Sequence, residues 1–186
     1  MKKTVVTFGL ISGVLSSLMM LATVPFHDRI GFNYGLVLGY TTIVLSFMLV
    51  FFGIRSYRDN VAGGSITFAR AFGLGILITL VSCVFYVGTW EVIYFKLMPD
   101  FAEKFSKSAI EKVVTSGGSK EMIDAKVQEM KDLTALLNNP LKNAGMTFLE
   151  PFPVGLIVTL ISAAILRKKP APAGQEEEVG APVMNS

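Results

Sequence analysis

Four stretches of this chain stay apolar for about the length of a bilayer crossing, and that constrains its fold more than any motif does. Crossing about 30 Å of hydrocarbon takes roughly 20 helical residues, because each residue adds only about 1.5 Å. The stretches fall at about 4–24, 34–54, 68–95 and 145–166 of the 186 residues. With 52% hydrophobic and only 17% charged residues, the chain is too apolar for a water-soluble domain of this size. A mean hydropathy of +0.55 says the same. The expected fold is all-α, a four-helix bundle integral to a membrane. The first stretch resembles a signal peptide in its Lys2–Lys3 start. It is span-length, however, and ends in LMMLATVPF without a small-residue cleavage site, so it is read as a resident helix.

The formal charge of +3 does not point to nucleic acid, because the basic residues flank the spans. Lys2 and Lys3, Arg55, Arg58 and Arg70, and Arg167, Lys168 and Lys169 all fall on one side of a four-crossing path. Positive residues favour the cytoplasmic side, which puts both termini there. The segment from Lys96 to Lys142 also holds lysines, at lower density and nearly matched by carboxylates. Arg55, Arg58 and Arg70 are assigned to lipid headgroups, Arg70 by laying its stem along the start of the third span. In RSYRDNVAGGSITFAR, Gly63 and Gly64 mark a turn, and Ser65 or Thr67 is placed to cap the helix that follows.

Between spans three and four, residues 96–144 are long enough to fold. Phe101, Phe105, Ala109, Ile110 and Val113 recur at helical spacing, Thr115 to Gly118 interrupt them, and Ile123, Val127, Met130 and Leu137 form a second stripe. Leu133 and Leu136 flank that stripe, and Asn138, Asn139 and Pro140 end it. A helical hairpin on the extracytoplasmic side is expected. Residues 170–186, rich in Pro, Ala, Gly and Glu, read as a disordered cytoplasmic tail.

Chemistry is sparse. Cys83 and His27 are each the only one of their kind, so neither a disulfide nor a zinc set can be assembled. There is no phosphate-binding glycine loop, no HExxH and no nucleophile elbow, and no enzyme or cofactor is expected. Glycines are the clearest pattern. Gly9 and Gly13 form one GxxxG, and Gly31, Gly35 and Gly39 form a double one. Stacked on one face, such glycines let helix backbones approach, within the chain or against a second copy or another membrane protein. Gly73 and Gly75 lie too close in sequence to share a face and are given no role beyond local packing.

Two carboxylates remain. Glu91 follows Trp90 near the end of span three, and Glu150 sits in FLEPFPVG at the start of span four. From Pro153 to Leu166 there are only 14 residues, about 21 Å of helix, so the span must begin near Gly145. Pro151 and Pro153 withdraw backbone donors there, and Pro151 biases Glu150 away from helical geometry. Glu91 and Glu150 share a membrane face with His27 and Asp28. Either the two glutamates form an ion or proton site, since carboxylates at this depth are costly and mark such paths, or each reaches headgroup water beside an aromatic belt of Tyr86, Trp90 and Tyr94.

The segment GIRSYRDNVAGGSITFARAFGLGILITLVSCVFYVGTWEVIYF resembles the bacterial membrane-protein family known as domain of unknown function 4199, and the similarity extends over most of the chain from the first span to the fourth. The resemblance implies a four-span bacterial inner-membrane protein with an extracytoplasmic segment before the last span. It brings no catalytic residues. Two functions are compatible with these readings: a non-enzymatic structural or accessory protein that binds a partner, or a small ion- or proton-coupled carrier using Glu91 and Glu150.

Overall fold

A computed structural model describes residues 1–168, and for His27, Asp28 and Asn33 it describes the backbone only. The tail expected at 170–186 and the basic Lys169 lie outside the described residues. The fold is all-α: α1 (Lys2–Thr23), α2 (His27–Asn60), α3 (Phe68–Val92), α4 (Phe101–Thr115), α5 (Lys120–Leu137), α6 (Pro140–Phe148) and α7 (Pro151–Leu166). A 3-10 turn at Val24–Phe26 joins α1 to α2, and a π-helical turn at Ile93–Leu97 ends α3. Four helical stretches are long and apolar enough to cross a membrane: Lys2–Phe26, Tyr34–Asn60, Phe68–Leu97 and Pro140–Leu166.

These four make the bundle. Around it the order is α1, α3, α7, α2, with α2 and α3 also meeting across the diagonal. Its polarity is inverted relative to a soluble bundle. Ser12, Thr79 and Thr159 are 0% exposed, whereas Leu18, Val84 and Ile165 are 59%, 69% and 65% exposed. Apolar residues outside and hydroxyls inside suit lipid as the solvent, where small polar residues let helices approach and bond across their interface. The chain is a membrane protein.

Small residues set the packing. A methyl group built on Gly9 would meet Val81 Cβ at 2.7 Å, and one on Gly13 would meet Phe85 Cβ at 2.7 Å, so α1 lies directly on α3. On the other side of α3, Gly75 faces Thr159 and Gly155 faces Thr79 and Phe47. The Thr79 and Thr159 hydroxyls are 3.2 Å apart, a hydrogen bond worth about 0.6 kcal/mol on average inside a membrane. Ser12 donates to the Ser46 carbonyl at 2.9 Å, and Ser82 donates to the Ile78 carbonyl at 3.0 Å and reaches the Gly9 carbonyl at 3.4 Å.

The glycine triplet behaves differently. Gly31 has φ +69° and ψ 163°, a conformation that L side chains rarely adopt, so it separates a first turn at 27–30 from the rest of α2 instead of packing a helix face. Gly35 and Gly39 face open space, with nothing within 4 Å of a built Cβ.

At one end of the bundle Thr67, not Ser65, caps α3 by accepting from Arg70 N. There Ile66 and Lys168 exchange backbone hydrogen bonds of 3.0 and 2.9 Å, tying the exit of α7 to the turn before α3. At the other end, α4 and α5 pack as a hairpin whose turn uses Gly117 at φ +78°. Ser106 and Thr134 hydroxyls join them at 3.2 Å. Ser119 caps α5, and its bond to Glu121 holds that carboxyl below its usual range.

The fourth crossing starts earlier than expected, at Pro140, and is broken where the prolines stand. Glu150 nevertheless keeps helical geometry, at φ −77° and ψ −59°, contrary to the bias expected before Pro151. The reason is local. The last turn of α6 tightens, with Leu149 N donating to Met146 O at 3.1 Å and Glu150 N to Thr147 O at 3.3 Å. Pro151 then enters as the first residue of α7, a position that needs no N–H.

Candidate functional site

Toward the hairpin end the bundle encloses a cavity of about 520 Å³, lined by α1 to α6 and the α6–α7 break, while α1 stays fastened to α3 by the 2.7 Å bond from the Thr89 hydroxyl to Ser17. Its walls are set by the features above. The open face of α2 contributes Gly35, Gly39 and Thr42, α1 contributes Met19, Met20 and Thr23, and α3 contributes Tyr86 and Trp90. Phe101 and Phe105 from α4, Leu133 and Leu137 from α5, and Met146, Thr147 and Glu150 at the α6–α7 break complete it. The volume falls within the range of about 300–1,000 Å³ typical of small-molecule sites, as does the mostly apolar lining with a few polar groups.

The polar groups are held in place. Tyr86 is 8% exposed and donates its hydroxyl to Glu150 Oε2 at 3.1 Å. Trp90 Nε1 donates to Asn143 Oδ1 at 3.0 Å, and Asn143, fully buried, donates to the Leu137 carbonyl and accepts from Thr147. Tyr94 donates to Asn138 at 3.1 Å. Aromatic edges add to this: Trp90 meets Phe101 at 5.0 Å and Phe32 meets Phe105 at 5.2 Å. Tyr86 and Trp90 on α3, and Tyr94 on the π-helical turn that follows it, therefore fasten the α6–α7 break, α6 and the α5–α6 junction to the bundle. They do not form the headgroup belt expected from their position in the chain. Buried phenol and indole groups need partners, and the asparagines at the α5–α6 junction supply them.

Glu91 goes elsewhere. It follows Tyr86 by five residues, which at about 100° per residue turns it roughly 140° around α3. That turns it away from Tyr86, at a half-buried position. Its Oε1 is buried without a hydrogen-bond partner among the described residues. Glu150 lines the cavity and Glu91 does not. His27 and Asp28 begin α2 at this end, and their side chains are outside the described set.

The remaining assignments divide. Gly9 and Gly13 lie in the α1–α3 contact, Gly35 and Gly39 line the cavity with Gly31 at its rim, and Arg55, Arg58 and Arg70 lie at the opposite end. Arg55 and Arg70 are exposed, whereas Arg58 bonds Asp59 and reaches the Leu166 carbonyl at 3.5 Å. Cys83 is buried and free. Among the described residues no group of His, Cys, Asp and Glu is arranged to hold a metal ion.

Three features were missed in the sequence reading: Tyr86 as the partner of Glu150, the Thr79–Thr159 pair, and the Gly75 and Gly155 contacts. A signal for them exists. Gly75, Thr79, Ser82 and Tyr86 on α3, and Gly155, Thr159 and Ser162 on α7, recur at spacings of four and three, small polar stripes within apolar helices.

No curated protein and no solved structure matches the chain. A family model reaches from within α1 to past the end of α7: the one described as "Protein of unknown function (DUF4199)" matches residues 7–168, and the chain belongs to that family.

Proposed function

We propose that this chain is a non-enzymatic, multi-pass protein of the bacterial inner membrane that binds a small amphiphilic molecule in the cavity at its hairpin end. Both termini are cytoplasmic in this reading and the α4–α5 hairpin is extracytoplasmic. The basic residues at the opposite end of the bundle favour that orientation, Lys2, Lys3, Arg55, Arg58, Arg70, Arg167 and Lys168 among them. The observation that carries the binding reading is the cavity: about 520 Å³ of apolar space with one carboxylate held at its edge by Tyr86. A molecule with an apolar body and one polar end fits that lining.

A carrier that uses Glu91 and Glu150 together is not favoured, because Glu150 lines the cavity and Glu91 does not. An accessory role toward another membrane protein is compatible with ligand binding, since Leu77, Leu80 and Val84 leave one side of α3 open to lipid or a partner.

Native mass spectrometry of the protein released from membranes tests the reading. The wild type is expected to retain a bound small molecule, and Gly39→Leu, which fills the trough on α2, is expected to lose it while keeping its thermal stability. A wild type that is released empty under conditions that preserve annular lipid would remove the proposal.

A further inference from the structure

Resting on the reading of the cavity as a binding site, we propose that its ligand is a single-tailed organic cation, an ammonium head on an apolar chain, with the head paired to Glu150. Among the described residues lining the cavity, Glu150 alone carries a formal charge. Its one described side-chain partner is the neutral hydroxyl of Tyr86, which occupies Oε2 and leaves Oε1 for a second donor. A carboxylate in apolar surroundings is costly unless a positive charge or a proton sits beside it, and no Lys, Arg or described His side chain lines the wall to supply one. A cationic ligand completes the site.

The aromatic lining fits the same head. Tyr86, which bonds Glu150, lines the cavity together with Trp90 and Phe101, and ring faces attract ammonium groups. Because the Trp90 N–H is already committed to Asn143, the indole offers its ring and not its donor. The tail has the trough along Gly35 and Gly39, where the absence of side chains leaves width for an alkyl chain.

Other chemistries fit less well. A phospholipid would bring a phosphate next to Glu150 with no basic side chain in the wall to receive it. A bare metal ion needs several oxygens at once, and most of this lining is aliphatic or aromatic.

Trp90 is the only tryptophan in the chain and makes the test direct. Full-length protein in nanodiscs of neutral phosphatidylcholine is titrated with 6-bromoundecylammonium and, separately, with 6-bromoundecanol, whose mid-chain bromine stays near enough to the head to quench indole fluorescence on binding. Saturable quenching by both is expected, with the cation binding about tenfold tighter, the worth of one charge-assisted contact. Glu150→Gln is expected to abolish that preference and leave the alcohol's affinity unchanged. Glu91→Gln, which removes an equal charge from outside the cavity lining, is expected to preserve the preference. Equal affinities in the wild type would overturn the cation while leaving the cavity reading intact. Saturable quenching by neither probe would overturn the cavity reading itself. If Glu150→Gln does not fold, Glu150→Asp, with its carboxylate drawn back by one methylene, is expected to weaken the preference several-fold, and an unchanged preference there overturns the assignment to Glu150.

Discussion

Glu150 shows how much a single partner decides. Two carboxylates near the same end of the bundle look alike in the sequence, each beside an aromatic residue and each followed by apolar chain. Tyr86 separates them, since its hydroxyl reaches Glu150, which lines the cavity, while Glu91 lies outside that lining. The consequence is measurable by cross-linking in a Cys83→Ala background. Glu91→Cys with Glu150→Cys is expected to give no intramolecular disulfide, whereas Thr79→Cys with Thr159→Cys is expected to oxidise readily. The threonine oxygens already stand 3.2 Å apart on short side chains, close to what a disulfide with Cα atoms about 4.4–6.8 Å apart demands. An efficient bond between the glutamate positions would restore the paired-carboxylate site. That Glu150 is unusual was legible from FLEPFPVG alone. That its partner is Tyr86 was not, because pairing across 64 positions depends on how α3 and α7 are rotated against each other.

The helices make the same point about glycine. Both glycine motifs satisfy one spacing rule, yet Gly9 and Gly13 lie against Val81 and Phe85 while Gly35 and Gly39 touch nothing within 4 Å. Spacing reports that a face is smooth and is silent on what covers it. Alanine scanning distinguishes the two. Gly13→Ala is expected to cost about 1–3 kcal/mol in a membrane-compatible unfolding assay, because the new methyl cannot be accommodated without moving α1 off Phe85. Gly39→Ala is expected to be neutral, or to stabilise by roughly 0.5–1 kcal/mol through helix propensity. Equal losses at both positions would mean that the α2 face is packed. The hairpin was legible for a different reason: its stripes at 101–113 and 123–137 are amphipathic, so periodicity alone marks which side turns inward. In α1, α2, α3 and α7 both faces are apolar, and periodicity carries little information.

For the molecule as a whole, span number and approximate limits follow from length and hydropathy, which is why four crossings are visible in the sequence. The cavity is not, since it exists only where four helices fail to meet. Orientation rests on the basic end of the bundle and has its own test. In intact cells of a Cys83→Ala strain, Ser116→Cys in the α4–α5 turn is expected to react with a membrane-impermeant maleimide, and Ala62→Cys in the α2–α3 turn to react only after permeabilisation. The reverse pattern would invert the topology. The two ends also differ mechanically. One is fastened by the paired backbone bonds of Ile66 and Lys168. At the other, every crossing helix departs from regular geometry close to the cavity: a 3-10 turn after α1, Gly31 in α2, a π-turn after α3, and the proline break between α6 and α7. At that end side chains supply what regular backbone does not: Thr89 bonds Ser17, Tyr86 bonds Glu150 and Trp90 bonds Asn143, so the interrupted helices are tied across rather than along their axes.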